Sequence, residues 1–113
     1  MQTETQHALD NIKQSIELLK RHLNLEEAQT RILKIEETSS AVGFWNDQKN
    51  AQNLMREKTT LENKIQSIND LENGLNDQLE MLQLANDEQD QELISEIEKA
   101  IENLSVIAGK KQI

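Results

Sequence analysis

Residues 51–82 read AQNLMREKTTLENKIQSINDLENGLNDQLEML, and this stretch decides the fold. Its apolar positions, Ala51, Leu54, Leu61, Ile65, Ile68, Leu71, Leu75, Leu79 and Leu82, recur in steps of three and four, with Lys58 filling one place in the seam. That period puts them on one stripe of an α-helix, and it persists too long for any strand. Each residue adds about 1.5 Å of rise, so the spacing predicts a rod near ~50 Å. Gly74 lies inside it at a cost of about 1 kcal/mol relative to alanine, offset by close packing or spent on a bend.

Working outward, Asn86, Asp87, Glu88 and Asp90 form an acidic stretch, after which Leu93 or Ile94, Ile97, Ile101, Leu104 and Ile107 or Ala108 form a second stripe that Gly109-Lys110-Lys111 is read to stop. A long rod, a short turn and a returning helix make an antiparallel hairpin. Upstream, Leu9, Ile12, Ile16, Leu19 and Leu23 define one more stripe, and Leu25, Ala28, Ile32 and Ile35 another. Asn24 followed by Glu27 resembles a capping box, which predicts a kink or restart between them, with continuation as one bent helix the alternative. The expectation is an all-α protein. It is an antiparallel bundle of three to four helices built around a long coiled-coil-like hairpin, one domain over residues 1–113 with helices at about 3–23, 25–38, 47–85 and 88–108.

Composition agrees. The 113 residues include no proline, no cysteine and three glycines, which suits long uninterrupted helices. Zero cysteine excludes a disulfide scaffold and any thiolate chemistry. No apolar run reaches the ~20 residues a bilayer span needs, and the N-terminus lacks the layout of a signal peptide, so a cytoplasmic protein is expected. Charge is uneven: residues 1–61 hold nine acids and eight bases, residues 62–113 twelve and four. Such an acidic second half repels nucleic-acid phosphates, and no direct sequence-specific nucleic-acid binding is expected of this domain.

No catalytic constellation is present. His7 and His22 lie 15 residues apart, too far along one helix to share a metal. Ser39 and Ser40 lack a neighbouring histidine base, and no glycine-rich phosphate loop occurs. The Glu26-Glu27 and Glu36-Glu37 pairs read as solvated helix faces. On these residues alone the chain is an interaction module, with no cofactor and no metal.

The one segment with individual character is Thr38–Asp47, where the pattern stops and the chain's two aromatics, Phe44 and Trp45, stand side by side. Asn46 or Asp47 can cap the helix that follows. Gly43-Phe44-Trp45-Asn46-Asp47, then Ala51-Gln52-Asn53-Leu54 and Arg56-Glu57-Lys58, resemble the N-terminal domain of bacterial peptide chain release factor 2. Phe44, Trp45, Asn46, Asp47, Ala51, Gln52 and Leu54 carry the family motif, and the likeness extends over about residues 9–108. Val42-Gly43 and Gln48 stand where the family often has proline.

The resemblance implies a helical domain one of a factor that terminates translation at UGA or UAA codons. The stop-reading Ser-Pro-Phe and hydrolytic Gly-Gly-Gln motifs are absent from this chain, so it is expected to lack hydrolytic activity in isolation. The implied partners are the stalk base of the large ribosomal subunit and the GTPase release factor, with Asp87, Glu88 and Asp90 as the partner-facing tip. A generic coiled-coil adaptor is the alternative. His22-Leu23-Asn24-Leu25-Glu26 lacks the Leu-Asp pair that marks a frameshift site in many genes of this family, and the gene is expected to lack that site. Trp45 is expected to pack inward, because an indole buries much apolar area. Phe44, Trp45 and Ile113 mark where an isolated domain would expose apolar surface.

Overall fold

The computed structural model describes Met1–Gln112; the expectation of exposed apolar surface at Ile113 lies outside the described residues. The described residues form four α-helices, α1 (Thr3–Leu23), α2 (Leu25–Ser39), α3 (Gln48–Asp87) and α4 (Gln91–Lys111), with a 3-10 turn at Phe44–Asn46. No strand occurs among the described residues. The helices group into two compact units, Met1–Leu19 with Ile68–Ile113, and Lys20–Ser67.

In the first unit α1, the second part of α3 and α4 share one core. On α3 the buried residues Ile68, Leu71, Leu75, Leu82 and Ala85 follow a heptad, and on α4 Ile97, Ile101 and Ala108 continue the same spacing from the facing side. The α3 and α4 segments are antiparallel, with Gly74 opposite Leu104. Helix α1 runs parallel to α4: the Gln2 N–H donates to Glu98 Oε2 at 3.0 Å near one end, and Gln112 Nε2 donates to Ser15 Oγ near the other. Glu98 is buried and satisfies a free donor at the positive end of α1. The hydroxyl of Thr5, also buried, has no hydrogen-bond partner.

The α3–α4 connection depends on backbone geometry that composition does not announce. Gln89 takes a left-handed conformation at φ 55. The Asp90 N–H then reaches Ala85 O at 3.0 Å and the Gln89 N–H reaches Asn86 O at 3.1 Å, the paired bonds of a Schellman motif. Asp90 Oδ1 in turn accepts the Leu93 N–H at 3.1 Å and caps α4. The acidic stretch is therefore not one loop. Asn86 and Asp87 are the last turn of α3, and α4 begins at Gln91 rather than near residue 88. Gly109 does not stop α4, which runs on to Lys111; Gly109 has no positive φ, and Lys110 and Lys111 suit the negative end of the helix.

In the second unit α2 packs on the first part of α3 around Ala28, Ile35, Phe44 and Ala51. Asn24 separates α2 from α1: it sits at φ 50, a conformation asparagine tolerates better than most residues, and its Oδ1 accepts the Glu27 N–H at 3.3 Å. At the other end of α2, Thr38 Oγ1 donates to Lys34 O, while Ser39 Oγ and Ser40 Oγ both donate to Glu36 O. The two serines thus serve a carbonyl of the ending turn, whereas Thr38 adds a second donor to a carbonyl inside the helix.

Candidate functional site

Two sets of residues stand out from the sequence, one in each unit. The family-motif residues all lie in the Lys20–Ser67 unit. The Phe44 N–H donates to Ala41 O at 3.2 Å, closing a turn whose third residue, Gly43, has φ 84 and ψ 1. That is the geometry of a type II turn, which requires a positive φ at this place. A Cβ on Gly43 would also meet the Asn46 side-chain amide at 3.1 Å. The turn delivers Phe44 into the core and leaves Trp45 outside.

Trp45 corrects the inward expectation. It is 57% exposed, whereas Phe44 is 9% exposed. Neighbouring residues in a 3-10 turn point about 120° apart, and with Phe44 directed into the core this turn leaves Trp45 at the surface. The indole covers the phenyl ring edge to face instead, with centroids 5.2 Å apart and planes at 87°. Asp47 Oδ1 accepts the Asn50 N–H at 3.1 Å and caps α3. Ala51 is fully buried, Leu54 half-buried, and Asn46 and Gln52 exposed. Most of the motif is thus local architecture: a turn, a core plug and a cap.

An ion pair that the sequence did not announce ties α2 to α3. Arg31 Nε donates to Glu57 Oε2 at 2.5 Å and Arg31 Nη2 to Oε1 at 2.9 Å, a bidentate fork between residues 26 apart in sequence. The hydrogen bond from Arg31 holds the Glu57 carboxyl below its ordinary range and raises the guanidinium in turn. Lys58 Nζ lies 3.8 Å from Glu36 Oε1, which accounts for a cation in a seam position. Their separation in the chain hides the partners: no local spacing in the sequence joins residue 31 to residue 57.

The acidic residues Asp87, Glu88 and Asp90 lie within four positions of one another at the α3–α4 connection, all exposed. Their carboxylates are not equivalent. Asp87 Oδ1 accepts from Gln83 Nε2 at 3.0 Å, Asp90 is engaged as the α4 cap, and Glu88 has neither duty. Asp87 and Glu88 sit at the negative end of α3, where a carboxylate is disfavoured.

Among the described residues no cluster of histidine and carboxylate side chains could hold a metal ion, and no helix is long and apolar enough to cross a membrane. The grooves are open to solvent. One, lined by Asn11, Gln14, Ser15, Ser105 and Gln112, is wholly polar apart from Leu18 and Gly109.

Comparison with known proteins gives a family match over residues 27–112, to the PCRF domain. The chain is 39% identical over 110 residues to peptide chain release factor 2 of Rickettsia bellii (strain RML369-C), covering 97% of this chain and 30% of that protein. It is 32% identical over 113 residues to peptide chain release factor 2 of Neorickettsia sennetsu (strain ATCC VR-367 / Miyayama), covering 100% of this chain and 31% of that protein. The chain therefore spans about a third of the length of these relatives. No solved structure matches it.

Proposed function

The chain belongs to the PCRF domain family, and from that premise we propose that it is the ribosome-docking domain of a peptide chain release factor that reads UGA and UAA codons. The observation that carries the reading is the family match over residues 27–112, which takes in the Phe44–Leu54 segment and the α3–α4 connection alike. Release factor 2 proteins as the similar chains support termination of translation as the process.

The domain contributes position rather than chemistry. Its serines at 39 and 40 spend their hydroxyls on helix carbonyls, and the chain contains no Gly-Gly-Gln loop. The docking element is the connection bearing Asp87, Glu88 and Asp90, whose charge suits a basic ribosomal protein of the stalk base of the large subunit, close to where the GTPase release factor works.

The test must respect the double duty of Asp90. In a full-length factor carrying this domain, Asp87→Ala with Glu88→Ala removes two charges while leaving the cap, and Asp90→Asn removes the third while keeping a side-chain acceptor. Association with the stalk base is expected to weaken about tenfold and to depend less on salt, with helicity unchanged. Unchanged association in the triple variant would remove the acidic turn from the reading. The 113-residue chain alone is expected to release no peptide from stop-programmed ribosomes, and measurable hydrolysis would overturn the assignment of the chemistry to other parts of the factor.

A further inference from the structure

The net negative charge of this protein belongs to one unit. The Met1–Leu19 and Ile68–Ile113 unit holds fourteen acids and four bases, whereas the Lys20–Ser67 unit holds seven acids and eight bases. Within that second unit one strip of the exposed surface of α3 is free of carboxylates, the exposed Glu62 lying on another side of the helix. Lys49, Asn53, Arg56, Thr60 and Lys64 are all exposed, and at 100° per residue they fall within about 80° of arc. The face is opposite the seam that buries Ala51 and half-buries Leu54, Leu61 and Ile65.

The three cations of this face are not paired along the helix. A helical side chain meets neighbours three and four positions away, and around Lys49, Arg56 and Lys64 those positions hold only Trp, Asn, Gln, Thr, Leu, Ser and Ile. Lys13 by contrast has Asp10 and Glu17 at those distances, and Lys99 has Glu96 and Glu102. Glu57, at the edge of the face, is taken by Arg31 of α2. The result is a line of three unneutralised cations over about 22 Å, interleaved with amides and hydroxyls that donate hydrogen bonds. At the head of this line, three residues before α3 begins, stands Trp45, 57% exposed.

Cations in a line, neutral donors between them and an exposed aromatic at one end are what a folded RNA strand recognises: phosphates take the cations and hydroxyl and amide donors, and an unpaired base stacks on an indole. We propose that the Lys49–Arg56–Lys64 face of α3, headed by Trp45, docks on RNA, gripping the backbone without reading its sequence and stacking one unpaired base on the indole. The proposal deepens the ribosome-docking reading by giving the domain an RNA-facing surface, and rests on that reading only for which RNA is met. An acidic protein surface would take the cations but gives the exposed indole nothing to stack on.

The test uses the 113-residue chain and a fluorescein-labelled RNA stem-loop with an unpaired purine loop, with no ribosome present, so that failure here leaves the acidic-turn reading standing. Trp45 is the only tryptophan and the chain has no tyrosine, so intrinsic fluorescence reports on this one site. Binding is expected to quench it and to weaken about 20- to 40-fold between about 50 and 200 mM NaCl, as three released counterions require. Lys49→Gln, Arg56→Gln and Lys64→Gln together should abolish that salt dependence, and Trp45→Ala should weaken anisotropy-detected binding about tenfold. Lys13→Gln with Lys99→Gln should leave binding intact. Equal binding by the two sets of glutamine variants, RNA binding without quenching, or equally tight binding of poly-glutamate would overturn the proposal.

Discussion

Gly43 and Gln89 occupy the same left-handed region of backbone space, at φ 84 and φ 55, and they pay for it differently. At Gly43 the chain uses the one residue without a Cβ. Gly43→Ala would set a methyl carbon 3.1 Å from the Asn46 amide in a conformation that costs an L-residue about 1–2 kcal/mol, so it is expected to destabilise by at least that much. Gln89 bears a comparable penalty in the native protein. Gln89→Gly relieves it, the larger entropy of the unfolded chain takes back about 0.4–1 kcal/mol, and a net gain of about 0.5 kcal/mol is expected. Urea midpoints at constant slope measure both, and a lower midpoint for Gln89→Gly would contradict the backbone account. The same pair shows what a sequence conceals. Glycine at 43 marks its turn openly, whereas nothing about glutamine at 89 reveals that it ends α3. A reading by residue type therefore starts α4 three residues early.

Helix α3 is the element whose existence was most legible, because its stripe repeats through Leu82 and only a helix satisfies that period. The caps were legible too: Asn24 and Asp47 are residues whose side chains mimic the missing turn of helix, and both accept the predicted kind of bond. Periodicity carries neither direction within an irregular turn, which here puts Trp45 outside, nor pairing across helices, which here joins Arg31 to Glu57. Gly74 belongs to the same scale. It sits within α3 at a helical backbone, and a Cβ there would find the Leu104 methyls at 3.6 and 3.7 Å, an ordinary van der Waals distance. Close packing thus does not forbid a side chain. Gly74→Ala is expected to stabilise by about 0.5–1 kcal/mol through helix propensity, seen as a higher melting temperature, and a destabilised variant would show that α4 approaches more tightly than these distances allow.

Across the whole molecule the deciding quantity is the segregation of charge, with fourteen acids against four bases in one unit and near balance in the other. In the first unit like charges also meet on α4, where Glu92 and Glu96, and Glu98 and Glu102, stand four residues apart. Each such pair opposes the helix by about 0.2–0.5 kcal/mol, and the compact state adds repulsion between helices that the unfolded chain relaxes. Salt shortens the reach of all these terms, to about 10 Å at 0.1 M and about 3 Å at 1 M. The α4 core should accordingly gain about 1 kcal/mol from added NaCl, whereas the second unit, with eight bases beside seven acids, loses some attraction, including that of the exposed Arg31–Glu57 fork. Amide exchange resolves the two in one experiment: protection at Ile97 and Ile101 should rise with salt, and protection at Ile35 and Ala51 should stay flat or fall. A parallel rise in both units would mean that salt acts through general burial of apolar surface. The uneven charge would then matter for what the protein meets and not for how it holds together.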